Sequence, residues 1–234
     1  MALSLDLKTI KRSFYASIGE IVFGMEDGTV TIFGLVAGVA ITANSSTQVL
    51  LAGATGAISS AISMMCGVFL DLQSDHDQER IKKKKRFVSI QNEPGKAADL
   101  FLLKLSDAGI SQQTIRTIQS EIVGDTSKLI ALDSVFDSQG SDTPDSPFSH
   151  ACWMFISNAL SALTPVIAFA FWPLVTARWI SLLMTLALLF LLGFGRAKIG
   201  QRAIYPTVIQ TVGIATFAAA GGVMIGQLIS RGFS

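Results

Sequence analysis

Not one aspartate or glutamate occurs across residues 146–234, and charged side chains make up only 15% of the chain. So little charge, beside 50% hydrophobic residues and a mean hydropathy of +0.52, excludes an ordinary soluble domain and points to a multi-pass membrane protein. Cysteine is nearly absent. Cys66 and Cys152 stand singly, without metal-type spacing, and are expected to be packed thiols rather than a disulfide. There is no Ser-His-Asp set, phosphate loop or zinc signature, so no enzymatic activity is expected. Residues 1–13 also lack the pattern of a cleavable signal peptide, which makes the first apolar run a permanent anchor.

Five apolar runs are present, at about 16–43, 47–71, 149–172, 174–196 and 204–229. Each is close to the roughly 20 residues that a helix needs to cross a bilayer. The expected fold is therefore all-α: a five-transmembrane-helix membrane protein with a small helical cytoplasmic domain between the second and third spans. The parts are 1–71, an N-terminal segment and first transmembrane hairpin; 72–147, the cytoplasmic helical domain; and 148–234, spans three to five. Lys8, Lys11, Arg12, the basic run at 80–86, Arg196, Lys198 and Arg202 fall on one side of these spans, and only Arg178 and Arg231 on the other. By the positive-inside rule the N-terminus is cytoplasmic and the C-terminus is not.

The first run, EIVFGMEDGTVTIFGLVAGV at 20–39, carries Glu20, Glu26 and Asp27 inside an otherwise apolar helix. A carboxylate in hydrocarbon costs at least about 2 kcal/mol and marks a protein interior or an ion route. At about 100° per residue, Glu20, Gly24, Asp27, Thr31, Gly34 and Gly38 share one narrow stripe. Two readings stand: a lined path for ions, or glycines for close packing with acids paired to donors elsewhere.

The second run repeats the pattern at Gly53, Ala57, Ser60, Met64, Gly67 and Asp71. Counted outward from a polar turn at 43–48, an antiparallel hairpin sets Asp27 level with Met64, and Glu20 level with Asp71 about 10 Å nearer the cytoplasm. Carboxylate with thioether suits Fe²⁺, Co²⁺ or Zn²⁺ better than Mg²⁺ or Ca²⁺. Alternatively, Met64 is simply a packing methionine.

The stretch at 20–38, Ile62-Ser63-Met64, Ser146-Pro147 and Ala162-Leu163-Thr164-Pro165 together resemble the vacuolar iron transporter family. The resemblance implies a homodimer of five-helix subunits that moves Fe²⁺ or a related divalent ion out of the cytosol in exchange for protons. It places Asp27 and Met64 on the membrane path. Where that family has Gly-Glu-Tyr this chain reads Gly67-Val68-Phe69, so one expected carboxylate is missing and Asp71, one turn on, is the nearest substitute. In the family the cytoplasmic block resembles a metal-collecting domain with rows of Glu and a pair of Met. Here five basic residues at 82–86 stand where acids are expected, and Val135 and Phe136 fall near the methionine positions.

Within that block the sequence predicts a helix at 75–88, one at 97–108 with an apolar stripe of Leu100, Phe101 and Leu103 ended by Gly109, and one from a Ser111 cap toward 123. A fourth runs over 125–136, before a polar tail at 137–147. Asp75, His76 and Glu79 form either a weak cytoplasmic metal site or a solvated helix start, and the basic run is a topology signal attractive to anionic lipid. Pro165 bends the third span, for gating or for fit. His150 is an interfacial anchor, with proton relay as the alternative. Ala218, Gly222 and Gly226 give the fifth span a small-residue ridge.

The function expected is proton-coupled export (antiport) of a divalent transition metal, Fe²⁺ first, with Mn²⁺, Co²⁺ and Zn²⁺ as alternatives. A non-transporting scaffold or regulator and a passive cation channel are the rival readings. Metal and protons are substrates, and no permanently bound cofactor and no nucleic-acid partner are expected. The expected setting is the lipid bilayer of the cell (inner) membrane rather than a vacuolar one, as a homodimer.

Overall fold

Apolar chain in a dry environment must satisfy its backbone donors and acceptors internally, and a helix does so within one segment. The computed structural model describes residues 7–122, 125–137 and 146–232, and every regular element among them is an α-helix. In order these are α1 (Leu7–Ala16), α2 (Ile18–Thr42), α3 (Ser46–Asn92), α4 (Pro94–Asp107), α5 (Gln112–Ile122), α6 (Thr126–Asp137), α7 (Pro147–Ala162), α8 (Thr164–Phe171), α9 (Leu174–Ile199) and α10 (Ile204–Gly232). They form two units, Met1–Leu70 with Asp145–Ser234, and Asp71–Pro144, the chain passing from one to the other within α3. By length and composition α2, α3, α9 and α10 can each cross a membrane, and α7 with α8 makes a fifth span if that bent pair is counted as one.

In the first unit α2 is the central element. The helices α7 and α10 run parallel to it, and α9 runs antiparallel, as their residue pairings show. The small and polar stripe on α2 meets two neighbouring helices. Its lower half is met by α7: a Cβ added at Gly24 would lie 2.5 Å from Ser157 Oγ, and one at Gly28, beside the stripe, 2.5 Å from the Asn158 carbonyl oxygen. Its upper half is met by α10, where Gly34 and Gly38 oppose Ala218, Gly222 and Gly226 backbone to backbone. Between lipid-embedded helices the hydrophobic effect offers little, so this close approach of small residues is the main source of attraction. The predicted ridge on the fifth span is thus found in contact with α2.

An apolar cluster fills the other half of the unit, with Ile32 and Val36 of α2, Val49 and Ala57 of α3, and Val166 and Phe169 of α8. The α2–α3 turn is tied to the α8–α9 turn by Ser46 Oγ, which donates to the Trp172 carbonyl at 3.0 Å. Arg178 donates to the Ala40 carbonyl near the same end. The run expected as the third span is not straight: α7 and α8 meet at 41°. Pro165, at the start of α8, has no N–H for the ladder, and its own carbonyl accepts a 2.6 Å hydrogen bond from Ser181 Oγ on α9.

The second unit differs from its sequence reading in two places. No separate helix begins at 75, because no glycine or proline falls between Gly67 and Pro94, and α3 continues unbroken to Asn92. The inward face of α4 is Ala98, Leu102 and Leu105, not Leu100 and Leu103, which are exposed. Both sets have helical spacing, and Ile90, Ile115, Ile122 and Leu129 cover the first. The expected punctuation is present: Gly109 has φ +83° just past α4, and Ser111 Oγ accepts from the Thr114 N–H at 3.3 Å. The side chains of Val135 and Phe136, and most of the polar tail at 137–147, lie outside the described residues.

Candidate functional site

Asp27 lies nine residues into α2, about 14 Å along it at 1.5 Å per residue. It is half-buried. Its Oδ2 accepts a 3.2 Å hydrogen bond from Asn158 Nδ2 of α7. Asn158 is 0% exposed, and its Oδ1 has no hydrogen-bond partner among the described residues. What brings the two together is Gly28, whose missing side chain admits the Asn158 backbone and the Ser161 hydroxyl. Sequence reasoning placed Asp27 correctly on a helix-facing stripe but did not name Asn158 as its partner. The Gly24-x-x-x-Gly28 spacing was the available signal for a close helix neighbour.

One turn below, the buried Met154 sulfur occupies the space over Gly24. Below that, His150 Nδ1 lies 3.1 Å from Ser17 Oγ and 3.4 Å from Glu20 Oε1. His150 is 5% exposed, which corrects its reading as an interfacial anchor: the tight α2–α7 crossing encloses it. Ser13, Ser149 and Trp153 continue the polar contact between α1 and α7, with Trp153 Nε1 donating to Ser13 Oγ at 3.1 Å.

Glu26 has a different environment from its neighbour. A turn of about 100° between successive residues directs it to α9 and α10, where Arg196 Nη1 donates to Oε2 at 3.0 Å and Thr211 Oγ1 to Oε1 at 3.3 Å. Glu26 is 12% exposed and Arg196 35%, so the pair is partly desolvated.

Met64 is half-buried on α3. That helix touches α2 near the turn, where Gly53 and Gly56 meet Val36, Leu35 and Ile32. Gly67 has open space where a side chain would stand. Asp71 belongs to the other unit, as do exposed Asp75 and His76 and partly buried Glu79. Among the described residues no group of three or more His, Cys, Asp or Glu side chains converges as a metal site, so Asp75, His76 and Glu79 are not brought together. Both cysteines are free, and Cys66 is exposed rather than packed.

The sequence profile described as the VIT family matches residues 18–227. A protein named vacuolar iron transporter 1, from Eucalyptus grandis, is 25% identical over 206 residues, covering 87% of this chain and 82% of its own length. A vacuolar iron transporter from Toxoplasma gondii is 25% identical over 197 residues, covering 79% of this chain and 65% of its own length. The chain thus spans less than two thirds of that second relative.

Proposed function

The chain belongs to the VIT family, and on that premise we propose that it is a proton-coupled antiporter that exports a divalent transition metal from the cytosol, with Fe²⁺ the first candidate. The observation that carries this reading is Asp27, a half-buried carboxylate within a membrane-length apolar helix, hydrogen-bonded to a fully buried carboxamide. The names of both relatives as iron transporters support the choice of substrate.

A carboxylate at this depth is tolerated when a cation or a proton neutralises it. One acid that accepts either gives competition, and competition is coupling. Protons arriving from the non-cytoplasmic side displace the metal, and their release to the cytosol restores the ligand. Met64 of α3 is the candidate thioether ligand, and Glu20, nearer the cytoplasmic end of α2, lies on the entry side. Glu26 holds α2 to α9 and α10 through Arg196 rather than binding the ion. The protein works with five spans in the cell membrane, N-terminus cytoplasmic, as a homodimer.

The test is reconstitution of the full chain in liposomes carrying a metal-sensitive dye and a pH dye. Metal entry with opposite proton movement is expected, and both signals should vanish for a folded Asp27→Asn variant. Metal flux without a pH change would make the protein a channel, and no flux of any divalent ion would make it a scaffold. Either result ends the antiporter reading.

A further inference from the structure

An ionised carboxylate has no hydrogen to give, and the Asn158 amide turns its Nδ2 toward Asp27. Its Oδ1 is thereby left buried without a partner. Orphaned polar atoms of this kind are rare in folded proteins and ask for an explanation. Asn158 is not on the α2–α3 hairpin, and neither family resemblance nor residue spacing assigned it a role.

We propose that the Asn158 carboxamide is a direct ligand of the transported cation, its Oδ1 joining an Asp27 oxygen on the ion and adding a second hard donor to the site. The inference rests on the transport reading of Asp27. In the empty site the Nδ2 group supplies the positive edge that a cation would otherwise provide. When the ion arrives, a half-turn of the amide about its terminal torsion exchanges Nδ2 for Oδ1. Two oxygens then face each other, an arrangement that is repulsive unless a cation sits between them, so the flip and the binding event require one another. Gly28 and the Ser161 hydroxyl, which donates to the Asn158 backbone carbonyl at 3.0 Å, hold the residue at this depth. A carboxamide oxygen beside the carboxylate narrows the advantage that Zn²⁺ ordinarily holds over Mn²⁺.

The experiment is isothermal titration of the detergent-purified full chain with MnCl₂ and separately with ZnCl₂, comparing the unmutated protein with Asn158→Leu and Asn158→Asp. Asn158→Leu, close in size, should weaken Mn²⁺ binding about tenfold or more and Zn²⁺ binding less. Asn158→Asp keeps an oxygen in place and adds charge, so it should bind Mn²⁺ more tightly than the unmutated chain. This second variant decides the matter if the leucine variant fails to fold. Mn²⁺ affinity unchanged in either folded variant overturns the proposal, as does equal weakening toward both ions in Asn158→Leu, which signals a packing role alone. If the unmutated chain binds neither ion, the transport reading itself falls and takes this inference with it.

Discussion

Replacing Gly28 with alanine tests the close crossing that defines the site. The added Cβ would stand 2.5 Å from the Asn158 carbonyl oxygen, 2.9 Å from Ser161 Oγ and 3.1 Å from Asn158 Cγ. Ordinary contact begins near 3.4 Å, so α7 must retreat by about 0.9 Å at this level, and the nearest atom is backbone, which cannot rotate away. A retreat of that size would lengthen the 3.2 Å Asn158–Asp27 hydrogen bond toward 4 Å, beyond useful geometry. Overpacking of this kind costs about 1–3 kcal/mol, and losing a hydrogen bond to a charged group adds about 1.5–3 kcal/mol. The control is Gly19→Ala on the same helix, where nothing lies within 4 Å of the new atom and the change should be neutral or slightly favourable. Thermal unfolding in detergent and metal flux in liposomes are measured for both. Gly28→Ala should melt several degrees lower and lose most flux, while Gly19→Ala keeps both. Equal melting and equal flux for the two variants would refute the close-crossing argument.

Two further changes probe the frame around the site. Arg196→Ala leaves Glu26, 12% exposed, with the Thr211 hydroxyl as its remaining partner among the described residues, and should destabilise the fold by about 1–3 kcal/mol, the value expected between a surface and a buried pair. The Glu26→Gln, Arg196→Met double variant should recover most of that loss in a melting assay, and failure to recover it would show that the ion pair is not the source. Ser181→Ala removes the donor to the Pro165 carbonyl and should cost about 0.6–1.7 kcal/mol, the range for interhelical hydrogen bonds in membranes. A steric-trap or unfolding measurement in bicelles that finds no change would show that α8 keeps its bend without that bond.

How much was legible in the chain varies by element. The helices were, because long apolar runs admit no other spanning structure, and Gly109, Ser111 and Pro165 announced their own turn, cap and bend. The extent of α3 was less so, since the polar, charged stretch from Asp75 reads like the start of a separate surface helix. Physically it lacks any residue that would break the helix before Pro94. On α4 the sequence reading chose Leu100 and Leu103, and the positions of α5 and α6 put Leu102 and Leu105 in the core instead.

The acids show the division most clearly. Composition and periodicity alone determined that Asp27 lies within an apolar helix on a glycine-bearing face, because helical pitch converts spacing into angle without reference to any neighbour. They did not determine what stands opposite. Asn158 is 131 residues away and Arg196 is 170 from Glu26, and which helix meets which face depends on packing of backbones at glycine crossings. Tertiary structure therefore gave adjacent residues 26 and 27 different fates, one closed in an ion pair and the other held by a carboxamide with an oxygen to spare.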